Sequence, residues 1–233
     1  NYGDVFEVWF DGANGGDGYY GGACDSRTID RKNYYNYPRI FEILDSIQPQ
    51  AVVFGDGGPG CRWVGNEKGF AGETNWAFLR KGEVYPGYPK YKELQYGHAD
   101  GNQWTPAECD VSIRPGWFYH PEEDGKVKSP DQLVDLYYRS VGHNATLLLN
   151  FPVDRDGLIH PIDSANAVRF HKIIERELSH NLVAGMKPKV SNERGTEFAA
   201  KALTDNSWDT YWATADGVTT ADITFTFKKP QKI

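Results

Sequence analysis

The sequence predicts an α/β fold, the C-terminal half of a (β/α)8 barrel followed by the start of a β-sandwich. Three observations carry this expectation. Short apolar runs alternate with amphipathic stretches in the order strand, helix, strand, long loop, strand, helix, strand, helix, which is the pattern of a parallel sheet with crossover helices. Each apolar run ends in polar or aromatic residues, as at the C-terminal rim of such a barrel, where its chemistry sits. From about Lys187 the helical periodicity stops and β-type segments take over. An open doubly wound sheet is the structural alternative. No G-x-G-x-x-G stands at a strand-to-helix turn, and Gly55-Asp56-Gly57-Gly58-Pro59-Gly60 lacks the lysine and following helix of a phosphate loop.

The first strand is Val5 to Phe10, where Val5, Phe6, Val8 and Phe10 suit a covered strand and Asp11 ends the run. Gly12, Gly15, Gly16 and Gly18 let the next loop turn away without crowding a ligand. Asp30 to Ile47 predicts a helix, with Ile40, Phe41, Leu44 and Ile47 at helical spacing, Pro38 near its true start and Gln48-Pro49 at its end. Ala51 to Gly55 is a short apolar strand. The stretch from Asp56 to about Gln103 is dense in Gly, Pro, Trp and Tyr, and a loop of that length is functional or carries small elements of its own. Asp110 to Tyr119 reads as the next strand and its exit.

Ser129-Pro130-Asp131 starts a helix with Pro at the first helical position. Leu133, Leu136, Tyr137 and Val141 form its buried stripe, and Gly142 is placed to stop it. Thr146 to Phe151 is a further buried strand, whose exit loop holds Asp154, Asp156 and Gly157. The last helix runs from about Pro161 to Leu178, with Ala167, Phe170, Ile174 and Leu178 inward. Ala221 to Phe227 alternates strictly, so Ile223, Phe225 and Phe227 share a face. Residues 1–183 are therefore assigned to the barrel and 184–233 to the sandwich.

The 233 residues are 39% hydrophobic and 24% charged, with a net charge of -7. That composition suits one sizeable core or two smaller ones, and the acidic balance argues against a general nucleic-acid binder. No run of about 18 apolar residues predicts a membrane span. Cys24, Cys61 and Cys109 have no metal-ligand spacing; their odd number allows at most one bridge, and Cys109 reads as a small buried filler. His98, His120, His143, His160, His171 and His180 likewise show no ligand spacing, so no catalytic metal and no catalytic cofactor are expected. The chain opens almost inside one strand and stops just after another, and both ends look cut. Four strands of eight cannot close a barrel and would leave two open edges, so the remainder of the barrel is an expected partner.

Strand ends and loops contribute Trp9 with Asp11, Arg62 to Glu67, Glu108 to Trp117, and Asn150 with Asp154. Two carboxylates on neighbouring βα loops suit glycoside hydrolysis, one as nucleophile and the other as acid/base. Asp11, at a strand end, would be rigid and ionised. Glu67 lies in a loop beside Trp63, where partial burial favours a proton donor. Aromatic residues make up 14% of the chain, many in Gly-rich polar contexts that suit the apolar faces of sugar rings. The competing explanation for each aromatic is ordinary packing.

Trp9-Phe10-Asp11-Gly12-Ala13 and Gly60-Cys61-Arg62-Trp63-Val64-Gly65-Asn66-Glu67 resemble the catalytic core of the α-L-fucosidases of glycoside hydrolase family 29. Pro106 to Tyr119 looks like a third block of that family, and Leu147 to Pro152 with Asp156-Gly157 like a fourth. The second and third blocks are closer to the branch acting on α1,3/1,4-linked fucose. The resemblance implies Asp11 as nucleophile and Glu67 as acid/base, with Glu73 in reserve because that position varies between branches. It implies substrate contacts from Trp9, Arg62, Trp63 and Trp117, with Arg62 bonding the sugar or orienting a carboxylate. Fucosylated glycans are the implied substrates, and a secreted, periplasmic or cell-surface location the implied setting. Family members also carry sugar-binding histidines on earlier barrel strands, which have no counterpart here. Ala202 to Thr214 resembles the opening of a discoidin-like carbohydrate-binding module, which implies a structural calcium near Asp205 and Asp209. The rival classes are a glycan-binding protein with a decayed barrel and a barrel glycosidase of other sugar specificity.

Overall fold

Five parallel strands frame the first of the two units into which the chain divides, Asn1–Ile173 and Ile174–Ile233. A computed structural model describes residues 3–11, 16–20 and 22–231. Gly12 and Gly15, expected to turn the loop away from the first strand, lie outside the described residues.

In chain order the first unit holds β1 (Glu7–Trp9), a hairpin of β2 (Gly18–Tyr20) and β3 (Asp25–Arg27), α1 (Tyr37–Ile47), β4 (Val52–Gly55) and β5 (Cys61–Trp63). A second hairpin of β6 (Phe78–Leu79) and β7 (Gln103–Trp104) precedes β8 (Ala107–Ser112), α2 (Pro130–Ser140), β9 (Ala145–Asn150) and α3 (Pro161–Leu178), whose residues after Ile173 belong to the second unit. The sheet order is β1-β4-β5-β8-β9, parallel throughout. This is the curled parallel sheet of a partial (β/α)8 barrel. It has five strands rather than four, because β5 was hidden inside the long loop. The strand expected from Asp110 begins three residues earlier, at Ala107.

Alternation along β8 separates two faces. Ala107 and Cys109 pack with Val64, Ala71 and Ala145, while Val111 and Ile113 meet Leu133 and Leu136 of α2. Burying these side chains contributes roughly 1.5–3 kcal/mol for each large aliphatic group. Glu108, Asp110 and Ser112 point the other way, and all six β8 residues are buried. Helix α2 starts where its sequence says it should: Ser129 accepts from the Gln132 amide, and the Gln132 side chain accepts from the Ser129 amide. Cys61 and Cys109 are buried free thiols, and burial pushes Cys109 up to about 12, which keeps it inert.

Four expected faces are less covered than their periodicity implied, since Ile47 of α1 and Val141, placed in the buried stripe of α2, are exposed as well as the two residues that follow. Phe6 is 83% exposed, because β1 lies at the sheet edge and its paired segment begins only at Glu7. Leu178 is 54% exposed, while Ala167, Phe170 and Ile174 are half-buried.

In the second unit β10 (Lys189–Val190) pairs antiparallel with β11 (Ile223–Thr224). The alternating segment contributes only those two residues to a strand; Phe225 and Phe227 are half-buried and Ile223 is exposed. Trp212 Nε1 donates to the Asn192 carbonyl at 3.1 Å and the Thr204 hydroxyl to the Met186 carbonyl at 2.7 Å. Asp205 accepts from the Ser207 amide at 3.0 Å and the Thr210 hydroxyl at 2.7 Å, which hold its carboxyl below the usual range.

Candidate active site

The C-terminal ends of β1, β4, β5 and β8 surround a cavity of about 770 Å³. Trp9, Phe10 and Asp11 reach it from the end of β1, Phe54 and Asp56 from β4, Trp63 and Glu67 from β5, and Asp110 and Trp117 from β8. A volume of this size suits a small organic ligand. The aromatic groups form a wall rather than an isolated patch. Trp9 stacks on Phe54 with centroids 4.4 Å apart and planes within 5°, and Trp63 stacks on Tyr91 at 6.0 Å.

Local backbone chemistry sets Glu67. Val64 donates to the Glu108 carbonyl at 3.1 Å, which carries the sheet one residue past β5. Gly65 then takes φ +81°, and a Cβ there would collide with the Tyr91 carbonyl oxygen. The chain turns over the cavity rim, and Trp117 Nε1 donates to Glu67 Oε2 at 3.3 Å. The Asn150 side chain holds that arm by donating to the Trp117 carbonyl at 3.1 Å. Asp11 and Glu67 are both exposed and line the cavity. Glu73 is exposed and does not line the cavity.

Arg62 corrects an expectation. It has no accessible surface and does not line the cavity. Nε donates to the Leu94 carbonyl at 2.9 Å, Nη1 to the Thr105 carbonyl, and Nη2 to Asn75 Oδ1 at 2.6 Å and the Trp76 carbonyl at 3.0 Å. Neighbours on a strand alternate in direction, so Trp63 facing the cavity sends Arg62 away from it, into the long loop. Arg62 is the pin of that loop rather than a sugar contact.

Residues that sequence reasoning did not assign complete the wall. Asp56 accepts the Gly87 amide at 2.6 Å, and burial, opposed by that bond, raises its carboxyl. Asp110 is 4% exposed and accepts from Trp63 Nε1 at 2.8 Å. Burial, opposed by bonds from its own backbone amide and from Trp63 and reinforced by the Glu67 and Asp11 charges, pushes Asp110 up to about 6. The signal that would have found it is the polar alternation Glu108, Asp110, Ser112 inside a buried strand. Among the described residues, ligating atoms gather within 4.8 Å in Glu7, Cys61 and Glu108 and in Glu83, Glu93 and His98. None of those six lines the cavity, and burial with two adjacent carboxylates keeps the Cys61 thiol neutral.

A cleft at the C-terminal rim of a parallel sheet, lined by carboxylates and tryptophans, suits chemistry on a sugar. Residues 18–170 match the alpha-L-fucosidase family. The chain belongs to that family. Alpha-L-fucosidase 1 of Arabidopsis thaliana is 38% identical to it over 215 residues, 91% of this chain and 40% of the plant protein. A glycoside hydrolase 29 family member from an unknown rumen bacterium shares 46% identity at a TM-score of 0.71, over 82% of this chain and 35% of that one. A GH29 fucosidase of Ruminococcus gnavus, solved in complex with fucose, shares 28% at a TM-score of 0.70, over 94% of this chain and 44% of its own. The chain spans about two fifths of the length of the curated relatives it matches. Fucosidase-family membership accounts for the rim position of the carboxylates and for the curled sheet that presents them.

Proposed function

We propose that the protein carrying this chain is a retaining exo-α-L-fucosidase acting on terminal α1,3/1,4-linked fucose. Asp11 attacks the anomeric carbon while Glu67 protonates the departing glycosidic oxygen, so the C1–O bond breaks as the bond to Asp11 forms. Glu67 then takes a proton from water, whose oxygen bonds C1 and releases Asp11, consuming one water per fucose. The observation that carries this reading is that Asp11 and Glu67 line one cavity walled by Trp9, Trp63 and Trp117. Family membership and the fucose complex of the Ruminococcus gnavus relative support the choice of sugar. The linkage preference rests on the wording of the Arg62 to Glu67 and Glu108 to Tyr119 blocks.

Asp11→Ala should abolish turnover of an activated aryl α-L-fucoside, and undiminished turnover would sink the assignment. Glu67→Ala should slow that substrate far less than natural glycans, because its leaving group needs no proton, while natural glycans lose ~100-fold or more. Azide should partly restore Glu67→Ala by attacking the fucosyl-enzyme in place of water, which releases a fucosyl azide of retained configuration. If Glu67→Ala behaves as wild type on both substrates, the acid/base role passes to Glu73.

For 184–233 the proposal is the start of a discoidin-like carbohydrate-binding module with a structural calcium at Asp205 and Asp209. An ion there must replace the Thr210 hydroxyl or share its oxygen on Asp205. An unchanged melting temperature on chelation would remove the calcium. A secreted, periplasmic or cell-surface location completes the proposal, and cell fractionation tests it.

A further inference from the structure

Asp110 sits deeper than either rim carboxylate. Asp11 and Glu67 are exposed, whereas Asp110 is 4% exposed in the same cavity. Its position is determined twice, by the β8 ladder, where it pairs with Leu148, and by the 2.8 Å bond from Trp63 Nε1, whose ring is stacked on Tyr91. The groups around it are mainly acidic or neutral: Asp11, Asp56 and Glu67 from three strand exits, Glu108 on its own strand, and Tyr88 and Tyr91 from the long loop. Among the described residues Arg31 is the cation that lines the cavity, and it pairs with Asp17. A buried carboxylate among like charges is costly unless donors reach it, and the Trp63 indole N–H together with its own backbone amide leaves further lone pairs to fill. Sugar hydroxyls are donors of the right kind, and their bonds to an ionised acceptor are among the strong ones.

We propose that Asp110 is a substrate-binding residue at the cavity floor, accepting hydrogen bonds from hydroxyls of the terminal fucosyl ring while Trp63 holds its rotamer. This rests on the fucosidase activity proposed above. The floor position makes it a contact of the sugar that enters first, so aryl fucosides and natural glycans depend on it alike. The acceptor is the ionised form. Its pKa of about 6 makes binding fade as pH falls through that value.

The test compares wild type, Asp110→Asn, Asp110→Ala and Trp63→Phe, each checked for an unchanged far-ultraviolet dichroism spectrum and a cooperative thermal transition. Asn still accepts from Trp63 Nε1 and so separates charge from rotamer. On an aryl α-L-fucoside, Asp110→Asn should lower kcat/KM by ~100-fold, and the acid limb near pH 6 in the wild-type profile should vanish. L-fucose binding, measured by calorimetry in an Asp11→Asn background, should weaken by a similar factor. A monodeoxy fucoside that wild type rejects should lose nothing further in Asp110→Ala, because hydroxyl and acceptor act as one pair. Unchanged fucose affinity in Asp110→Asn, additive losses with every deoxy sugar, or a Trp63→Phe phenotype equal to that of Asp110→Asn would overturn the assignment. If wild type neither binds fucose nor cleaves the fucoside, the activity itself falls and this contact with it. If wild type does both and Asp110→Asn matches it, only this contact falls.

Discussion

Arg62 is a buried cation held by neutral acceptors rather than by a carboxylate. Its recorded bonds run to three backbone carbonyls and one amide oxygen, and burial lowers its pKa to about 10. The guanidinium therefore works as a rigid fork, collecting Leu94, Thr105, Trp76 and Asn75 from points far apart in the chain. Arg62→Leu should leave those oxygens unpaired and cost roughly 2–4 kcal/mol in urea unfolding. Arg62→Lys should recover little of it, since one ammonium cannot span the fork. A Lys variant as stable as wild type would show that the charge alone matters. No local pattern announces this role. An arginine beside a tryptophan near a strand end suits a sugar contact equally well, and only the direction of Trp63 decides between them.

At the scale of elements, the strand that most needs the tertiary structure is β5. Three residues give no period to read, and Cys61-Arg62-Trp63 lies in a stretch dominated by glycine and proline. Its partners supply the pattern instead: Gly60 donates to the Val53 carbonyl at 2.9 Å, Arg62 to Pro106 at 2.9 Å and Val64 to Glu108 at 3.1 Å. Gly65 then redirects the chain to Glu67. Gly65→Ala should therefore reduce kcat by tenfold or more on natural glycans, with stability lowered by ~1–3 kcal/mol from the strained φ and the clash with Tyr91. Normal kcat in a folded Gly65→Ala protein would show that Glu67 does not depend on this turn.

Helices α2 and α3 were readable because their signals are local, an apolar stripe and a proline start, joined in α2 by a capping box. What ties α3 to the sheet was not readable. Arg114, just past β8, donates to both oxygens of Asp163 at 2.7 and 2.8 Å, and both residues are fully buried. Asp163→Ala should cost ~3–5 kcal/mol by stranding the buried guanidinium. A smaller loss, with the Asp124 bond to Arg114 at 2.9 Å taking over, would identify Asp124 as the principal partner.

For the molecule as a whole, the division at 173/174 falls inside α3, ten residues before the change of texture at 183/184 that sequence composition marks. Scanning calorimetry should resolve two transitions. L-fucose at 100 times its dissociation constant should raise the one belonging to 1–173 by ~2.7 kcal/mol, and leave the other in place. One concerted transition, shifted as a unit by fucose, would show that the two units unfold together.

The order of strands and helices, the helix caps, the carboxylates closing β1 and following β5, and the family motifs are written into short stretches of sequence. Each depends on neighbours within a few residues, through backbone geometry and side-chain period. The fifth strand, the inward turn of Asp110, the withdrawal of Arg62 from the cavity and the Arg114–Asp163 pair were decided by folding. Each includes a bond between residues 32 to 49 positions apart. Burial and hydrogen-bond saturation act on distance in space, and a linear pattern carries no record of which buried polar group will meet which.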